Sequence, residues 1–172
     1  MSRPSLIVYC GLPGVGKSAA AAYTADELPA RRFRSDEIRK ELFPEPEYTA
    51  AETAATYDEL LERGREALAS GSNVVLDATF RSTEYRDRAA ALAAEVDAAD
   101  GVAFVRVTCE TDVVTERLDQ RTTAESVSDA GLREYRLVSE SFEPLERDHV
   151  VVDNSGPLEE TYRQIDRSVL DR

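Results

Sequence analysis

Residues 11–18 read Gly-Leu-Pro-Gly-Val-Gly-Lys-Ser and satisfy the pattern G-x-x-x-x-G-K-[ST]. The five residues before them, Leu6 to Cys10, form a short apolar run of the kind that makes a buried strand. The residues after them, Ala19 to Ala22, are all alanine, the best helix former. Strand, glycine-rich turn and helix are the setting in which this pattern wraps a phosphate group. Glycine lets the backbone approach phosphate oxygens closely. Successive N–H groups then point into an anion nest, and the helix start adds its positive dipole end. The candidate nucleotide contacts are therefore Gly11, Leu12, Pro13, Gly14, Val15, Gly16, Lys17, Ser18 and Ala19. In such a loop the lysine, here Lys17, reaches the β- and γ-phosphates, and the hydroxyl, here Ser18, ligates Mg²⁺. Lys17 and Lys40 are the chain's only lysines among 21 basic residues.

A chain of 172 residues has the length of one domain with a sizeable core. No run reaches the ~20 apolar residues of a membrane span. The first residues lack a signal-peptide profile, so a cytoplasmic protein without membrane contact is expected. Formal net charge is −13. The acids are spread along periodic segments, which implies a solvated acidic shell and not an acidic tail. Abundant acid, arginine in place of lysine and no tryptophan suggest a halophilic type of acidic protein. Cys10 and Cys109 end apolar runs and read as small buried residues. His149 is the single histidine, which excludes a Ser-His-Asp triad or a histidine-based metal site.

Along the chain, apolar runs suited to strands alternate with segments of helical period. Strands are expected at Leu6–Cys10, around Arg31–Arg34, and over Asn73–Leu76, Val102–Cys109 and Val150–Val152. Ser35 is a candidate N-cap for a short second helix, and Thr49-Ala-Ala-Glu52 spells a capping box. The helix from Thr49 carries Tyr57, Leu61, Gly64 and Leu68 on one face. Ser82 opens a helix with Tyr85, Ala89, Leu92 and Val96 inward. The last helix has Leu158, Tyr162, Ile165 and Val169 inward. This alternation specifies an α/β fold in three layers, a parallel five-stranded sheet with helices on both faces.

In such a sheet ligands bind beyond the carboxyl ends of the strands. Those ends carry the glycine loop, then Asp36 with Arg39 one helical turn on, then Asp77 with Thr79 and Arg81, then Asp153-Asn154. Phosphoryl transfer needs a phosphate cradle, a metal, a carboxylate for the acceptor hydroxyl, and cations. Asp36 and Asp77 are the candidate carboxylates, one for the acceptor and one linked to the metal with Ser18. Arg39, Thr79 and Arg81 are candidate acceptor contacts. Arg117 and Arg121 lie four apart on one helix face. With the unpatterned residues after them they suit a helical lid over about 117–131 that brings Arg121 to the γ-phosphate.

The segments GLPGVGKS, RSDEIRKEL, VVLDATFRSTEYR, TERLDQR, SDA and SFEP together resemble the predicted-kinase group of P-loop proteins. These are AAA-type ATP-binding proteins related to polynucleotide 5′-kinases and to zeta-toxin and gluconate kinase-like phosphotransferases. The resemblance covers nearly the whole chain. It implies the strand order 2-3-1-4-5. It implies that Asp36 is the general base, that Arg39 contacts the acceptor, that Arg117 and Arg121 contact ATP phosphates, and that Asp153 and Asn154 lie near the adenine. The expected activity is transfer of the γ-phosphate of MgATP to a hydroxyl. Glu37, Glu41, Glu45 and Glu47 on the acceptor side favour a small acceptor over a nucleic-acid 5′ end. The alternative is an ATP-binding switch or ATPase with no acceptor.

Overall fold

The computed structural model describes residues 3–96, 101–121 and 135–171. Its strands are β1 (Leu6–Cys10), β2 (Ala30–Arg34), β3 (Asn73–Asp77), β4 (Val102–Thr108) and β5 (Val150–Asp153). Its helices are α1 (Lys17–Glu27), α2 (Ser35–Leu42), α3 (Ala50–Ala69), α4 (Thr83–Glu95), α5 (Thr111–Arg121) and α6 (Leu158–Ile165), the last continuing into a π turn over Asp166–Leu170. Residues 135–141 are also helical. All strand pairs are parallel and the order is β2-β3-β1-β4-β5. The expected α/β fold and strand order are both present.

Every residue of the central strand β1 is buried, as a strand covered on both faces requires. Alternation along the strands divides the core in two. Leu6, Val8, Val74 and Leu76 face α3 and α4, together with Leu60, Leu68 and Leu92. Ile7, Tyr9, Val75, Val105 and Val152 face α1 and α6, together with Ala20, Ala21 and Ile165. Small residues set the close approach of helix to sheet. A Cβ on Gly64 of α3 would sit 3.3 Å from Leu76 Cδ2.

Three local expectations change. Ser35 is the first residue of α2 and caps nothing; Arg34 holds the cap position without a side-chain bond. Thr49 does cap α3, accepting from Glu52 N at 3.1 Å. Glu52 turns back to the N–H groups of Glu47 and Tyr48, and so pins the loop ahead of the helix. Leu158 is 47% exposed, and Thr161 takes its place on the inner face of α6.

Candidate active site

Because all strands run the same way, their carboxyl ends meet at one edge of the sheet. There the chain leaves β1 into the glycine loop. Gly16 caps α1 with φ 85°, a left-handed conformation that suits glycine. No side chain caps the helix, so its first N–H groups stay directed at the loop's concavity. The loop is fastened from three neighbouring strand ends. Gly11 N donates to Thr79 O at 3.2 Å, beyond β3. Gly11 also lies against β4 so closely that a Cβ would come within 2.8 Å of Val107 O. Beyond β5, Asn154 Nδ2 donates to Val15 O at 2.8 Å, while Asn154 Oδ1 accepts from Thr161 Oγ1 at 2.6 Å. A side chain at Gly16 would run into that same asparagine amide.

Asp77 ends β3 and its side chain is 3% exposed. It caps no helix; Ser82 does that for α4. Three cations surround it: Lys17 Nζ at 3.8 Å from Oδ1, and Arg32 Nη1 at 3.8 Å and Arg34 Nε at 3.7 Å from Oδ2. The register explains the arginines. Arg34 pairs with Asp77 across β2 and β3, and Arg32 points to the same face two residues earlier. Both reach the start of α1. Arg32 Nη1 donates to Ser18 O at 3.0 Å, and Arg34 Nη2 donates to Ser18 Oγ at 3.5 Å. Arg34 Nη2 also holds Asp36 Oδ2 at 3.1 Å, and Nη1 holds Glu37 Oε1 at 3.0 Å. One guanidinium thus joins both candidate carboxylates to the candidate metal-binding hydroxyl. Asp77 Oδ2 and Arg34 Nε are buried without a hydrogen-bond partner. A buried carboxylate oxygen without a hydrogen-bond partner has the chemistry of a hard-cation ligand. Among the described residues no group of three or more His, Cys, Asp or Glu would hold a metal alone.

Asp36 sits in the first turn of α2 with its side chain 62% exposed. Arg39, one turn on, faces the start of α3. Its Nη2 donates to Thr53 Oγ1 at 3.0 Å, Nη1 lies 3.5 Å from Glu52 Oε2, and its Cζ stands 5.1 Å over the Tyr48 ring. Thr79 and Arg81 flank Phe80, which is fully buried at φ 46°, a costly conformation for an aromatic residue. Phe80 N donates to Tyr57 Oη at 3.0 Å. Arg86, 1% exposed, spends its guanidinium on four carbonyls: Phe80 O at 2.7 Å, Arg81 O at 3.2 Å, Glu143 O at 2.7 Å and Pro144 O at 3.0 Å. It ties the segment after β3 to residues 143–144. Burial also pushes the Cys10 thiol beneath this layer up to about 12, so it stays protonated and unreactive.

On the other flank, Arg117 Nη2 donates to Asn154 O at 2.7 Å and Nη1 to Cys109 Sγ at 3.4 Å. Asp153 Oδ1 accepts from Ser155 N and Oγ. The exposed Asp153 side chain thus bonds its own turn, and the buried Asn154 side chain holds the phosphate loop. Arg121 ends α5. Its side chain, and the remainder of the expected lid from residue 122 to 131, lie outside the described residues. The sequence reading assigned no role to Arg32, Arg34, Arg86 or Thr161. For Arg32 and Arg34 the available signal is charge within a strand; for Arg86 and Thr161, on helices, periodicity offers none.

Residues 6–145 match the protein family described as AAA domain. A protein of Mycobacterium tuberculosis (strain ATCC 25618 / H37Rv), itself named only as uncharacterized, is 32% identical over 123 residues; the match takes in 64% of this chain. The match is 24% of that relative's length, so the chain spans about a quarter of it. Among solved structures, a gluconokinase from Sinorhizobium meliloti 1021 superposes with a TM-score of 0.70 at 26% identity, covering 95% of this chain and 90% of that one. The Mycobacterium tuberculosis APS kinase in complex with AMPPNP and APS superposes at 0.74 and 16% identity, with 96% of each chain covered, a likeness of fold. A protein of Chloroflexus aurantiacus j-10-fl superposes at 0.73 and 19% identity, covering 99% of this chain and 98% of that one, again a likeness of fold. The glycine loop, the 2-3-1-4-5 sheet and a family match over residues 6–145 agree, and the chain belongs to the AAA-domain family, with a fold shared by the P-loop kinases it superposes on.

Proposed function

We propose that this protein is an ATP-dependent phosphotransferase that moves the γ-phosphate of MgATP to a hydroxyl group of a small acceptor. The observation that carries the reading is the unbroken line Lys17–Asp77–Arg34–Asp36 across three strand ends, with Ser18 beside it. It supplies the parts that phosphoryl transfer needs, at the edge where α/β folds bind ligands. The glycine loop from Gly11 to Ala19 holds the phosphates, and Lys17 turns from Asp77 to the β- and γ-oxygens. Ser18 and Asp77 hold Mg²⁺, which when bound neutralises phosphate charge. Asp36, exposed and beyond the loop, orients the acceptor hydroxyl and takes its proton. Arg39, Thr79 and Arg81 border the acceptor, and the Asp153–Asn154 turn borders the base. Arg117 and Arg121 bring positive charge to the phosphates from α5.

The gluconokinase likeness supports a small polyhydroxyl acceptor. So does the charge around Asp36. Arg34 and Arg39 already face Asp36, Glu37, Asp77 and Glu52 of this chain, and so form no bare track for a polynucleotide. The test is incubation with γ-labelled ATP and separate sugars, nucleosides, aminoglycosides and 5′-hydroxyl oligonucleotides. Label transferred to one small-molecule class, and lost in Asp36→Asn, is the expected result. Release of inorganic phosphate alone, at a rate Asp36→Asn leaves unchanged, overturns it in favour of an ATPase switch.

A further inference from the structure

The Arg34 guanidinium stands where a metal ion has to fit. Its Nη2 is 3.5 Å from Ser18 Oγ and its Nε is 3.7 Å from Asp77 Oδ2, the two groups assigned to Mg²⁺ above. The contacts to Asp77 and Ser18 are loose, whereas those to Asp36 at 3.1 Å and Glu37 at 3.0 Å are close. Asp77 Oδ2 and Arg34 Nε both remain without a hydrogen bond although buried. The arginine is therefore anchored on α2 and leans over the metal position without satisfying it. A buried ionised carboxylate is costly unless a counter-charge is close. Arg34, Arg32 and Lys17 supply it at Asp77.

We infer that Arg34 is the resident counter-cation of the metal position: it neutralises Asp77 and covers Ser18 in the empty protein, and swings fully onto Asp36 and Glu37 when MgATP arrives. The inference rests on the metal assignment of the proposed function. It has a thermodynamic signature. Metal entry must displace a guanidinium, so the gain in nucleotide affinity that Mg²⁺ brings is held down by Arg34. The same movement tightens the arginine on Asp36 only once metal and nucleotide are in place. Arg34 is thus a positioning residue that links the two aspartates.

The experiment is calorimetric titration of a non-hydrolysable ATP analogue into the full chain, with EDTA and with saturating Mg²⁺. The quantity read is the ratio of the two dissociation constants, which needs no turnover. In Arg34→Gln that ratio rises by about tenfold or more over wild type, because one positive charge next to the metal has gone. Arg34→Lys keeps a charge, but one ammonium is too small to span Asp77, Ser18 and Asp36, so its ratio rises severalfold; it decides the matter if the glutamine variant does not fold. Arg31→Gln, whose guanidinium lies over Phe33 on the opposite face, leaves the ratio unchanged. An arginine with only a structural role weakens both affinities equally. An unchanged or smaller ratio in the Arg34 variants overturns the inference alone. A wild-type chain that binds the analogue in neither condition overturns the phosphate-loop reading and this inference with it.

Discussion

Asp36 lies in the first turn of α2 after β2, Asp77 ends the neighbouring strand β3, and they share one arginine, yet their side chains are 62% and 3% exposed. That contrast assigns different consequences to the same substitution. Asp36→Asn keeps shape and removes the proton acceptor, so the analogue still binds and transfer falls by about 10²-fold or more. Asp77→Asn removes the buried anion that faces Lys17, Arg32 and Arg34 and raises the Mg²⁺ concentration needed for half activity, measured as rate against free Mg²⁺. If the Mg²⁺ curve moves for Asp36→Asn and not for Asp77→Asn, the two roles are exchanged. Lys17→Ala abolishes analogue binding and leaves the circular dichroism spectrum unchanged, since the Lys17 ammonium faces Asp77 at the sheet edge and not the apolar core. At this scale the sequence was informative about groups whose position follows from local spacing: the loop residues and the strand-end aspartates. Arg34 was illegible because its role depends on register. Only the pairing of Arg34 with Asp77 puts its side chain over Ser18.

Two elements depend on single buried polar side chains. Arg86 fastens the turn after β3 to residues 143–144 through four carbonyls. Arg86→Met preserves bulk but leaves buried acceptors bare, at about 1–3 kcal/mol each, and a urea titration should show a loss of at least about 3 kcal/mol. A loss below about 1 kcal/mol would mean that water replaces the guanidinium without cost. Asn154→Ala frees Val15 O and Thr161 Oγ1 and slackens the phosphate loop. Analogue affinity drops about tenfold, while Asp153→Ala, which disturbs only its own turn, has a smaller effect. Periodicity located α4 but turned its inner face slightly wrong. Arg86, Ala89, Leu92 and Ala93 are buried, whereas Tyr85 and Val96 are half-buried. An arginine is read as solvent-facing by any hydrophobic pattern, so a helix that buries one misleads it. Leu158 misled in the opposite way: Thr161 is the inward residue because Asn154 needs its hydroxyl.

For the whole molecule, two conditions act through groups distributed over it. Burial raises Tyr9 and Cys10 to about 12, from ordinary values of 10.0 and 9.0. The folded state therefore holds these protons more tightly than the unfolded chain does. Their contribution is complete below about pH 9 and falls as pH rises toward 12, by up to about 1.4 kcal/mol per unit for each group. Urea midpoints at pH 8 and pH 10.5 should differ accordingly; equal midpoints would mean that neither group is buried as described. The net charge of −13 is a self-repulsion that salt relieves, since the screening length falls to about 3 Å at 1 M. Exposed pairs such as Arg88–Asp58 and Arg147–Asp87 lose little by it. The melting temperature should rise between 0.1 and 2 M KCl, and a fall would show that these pairs outweigh the repulsion. The link between Asn154 and Val15 spans 139 residues, and it bears on the order in which a ribosome delivers the chain. The glycine loop precedes its fastening by 139 residues of chain. A nascent chain halted before residue 150 has the whole nucleotide motif and lacks β5, Asn154 and the helix whose Thr161 orients it. Without that fastening the loop is slacker, as in Asn154→Ala, and a chain halted there is expected to hold nucleotide more weakly than the finished fold.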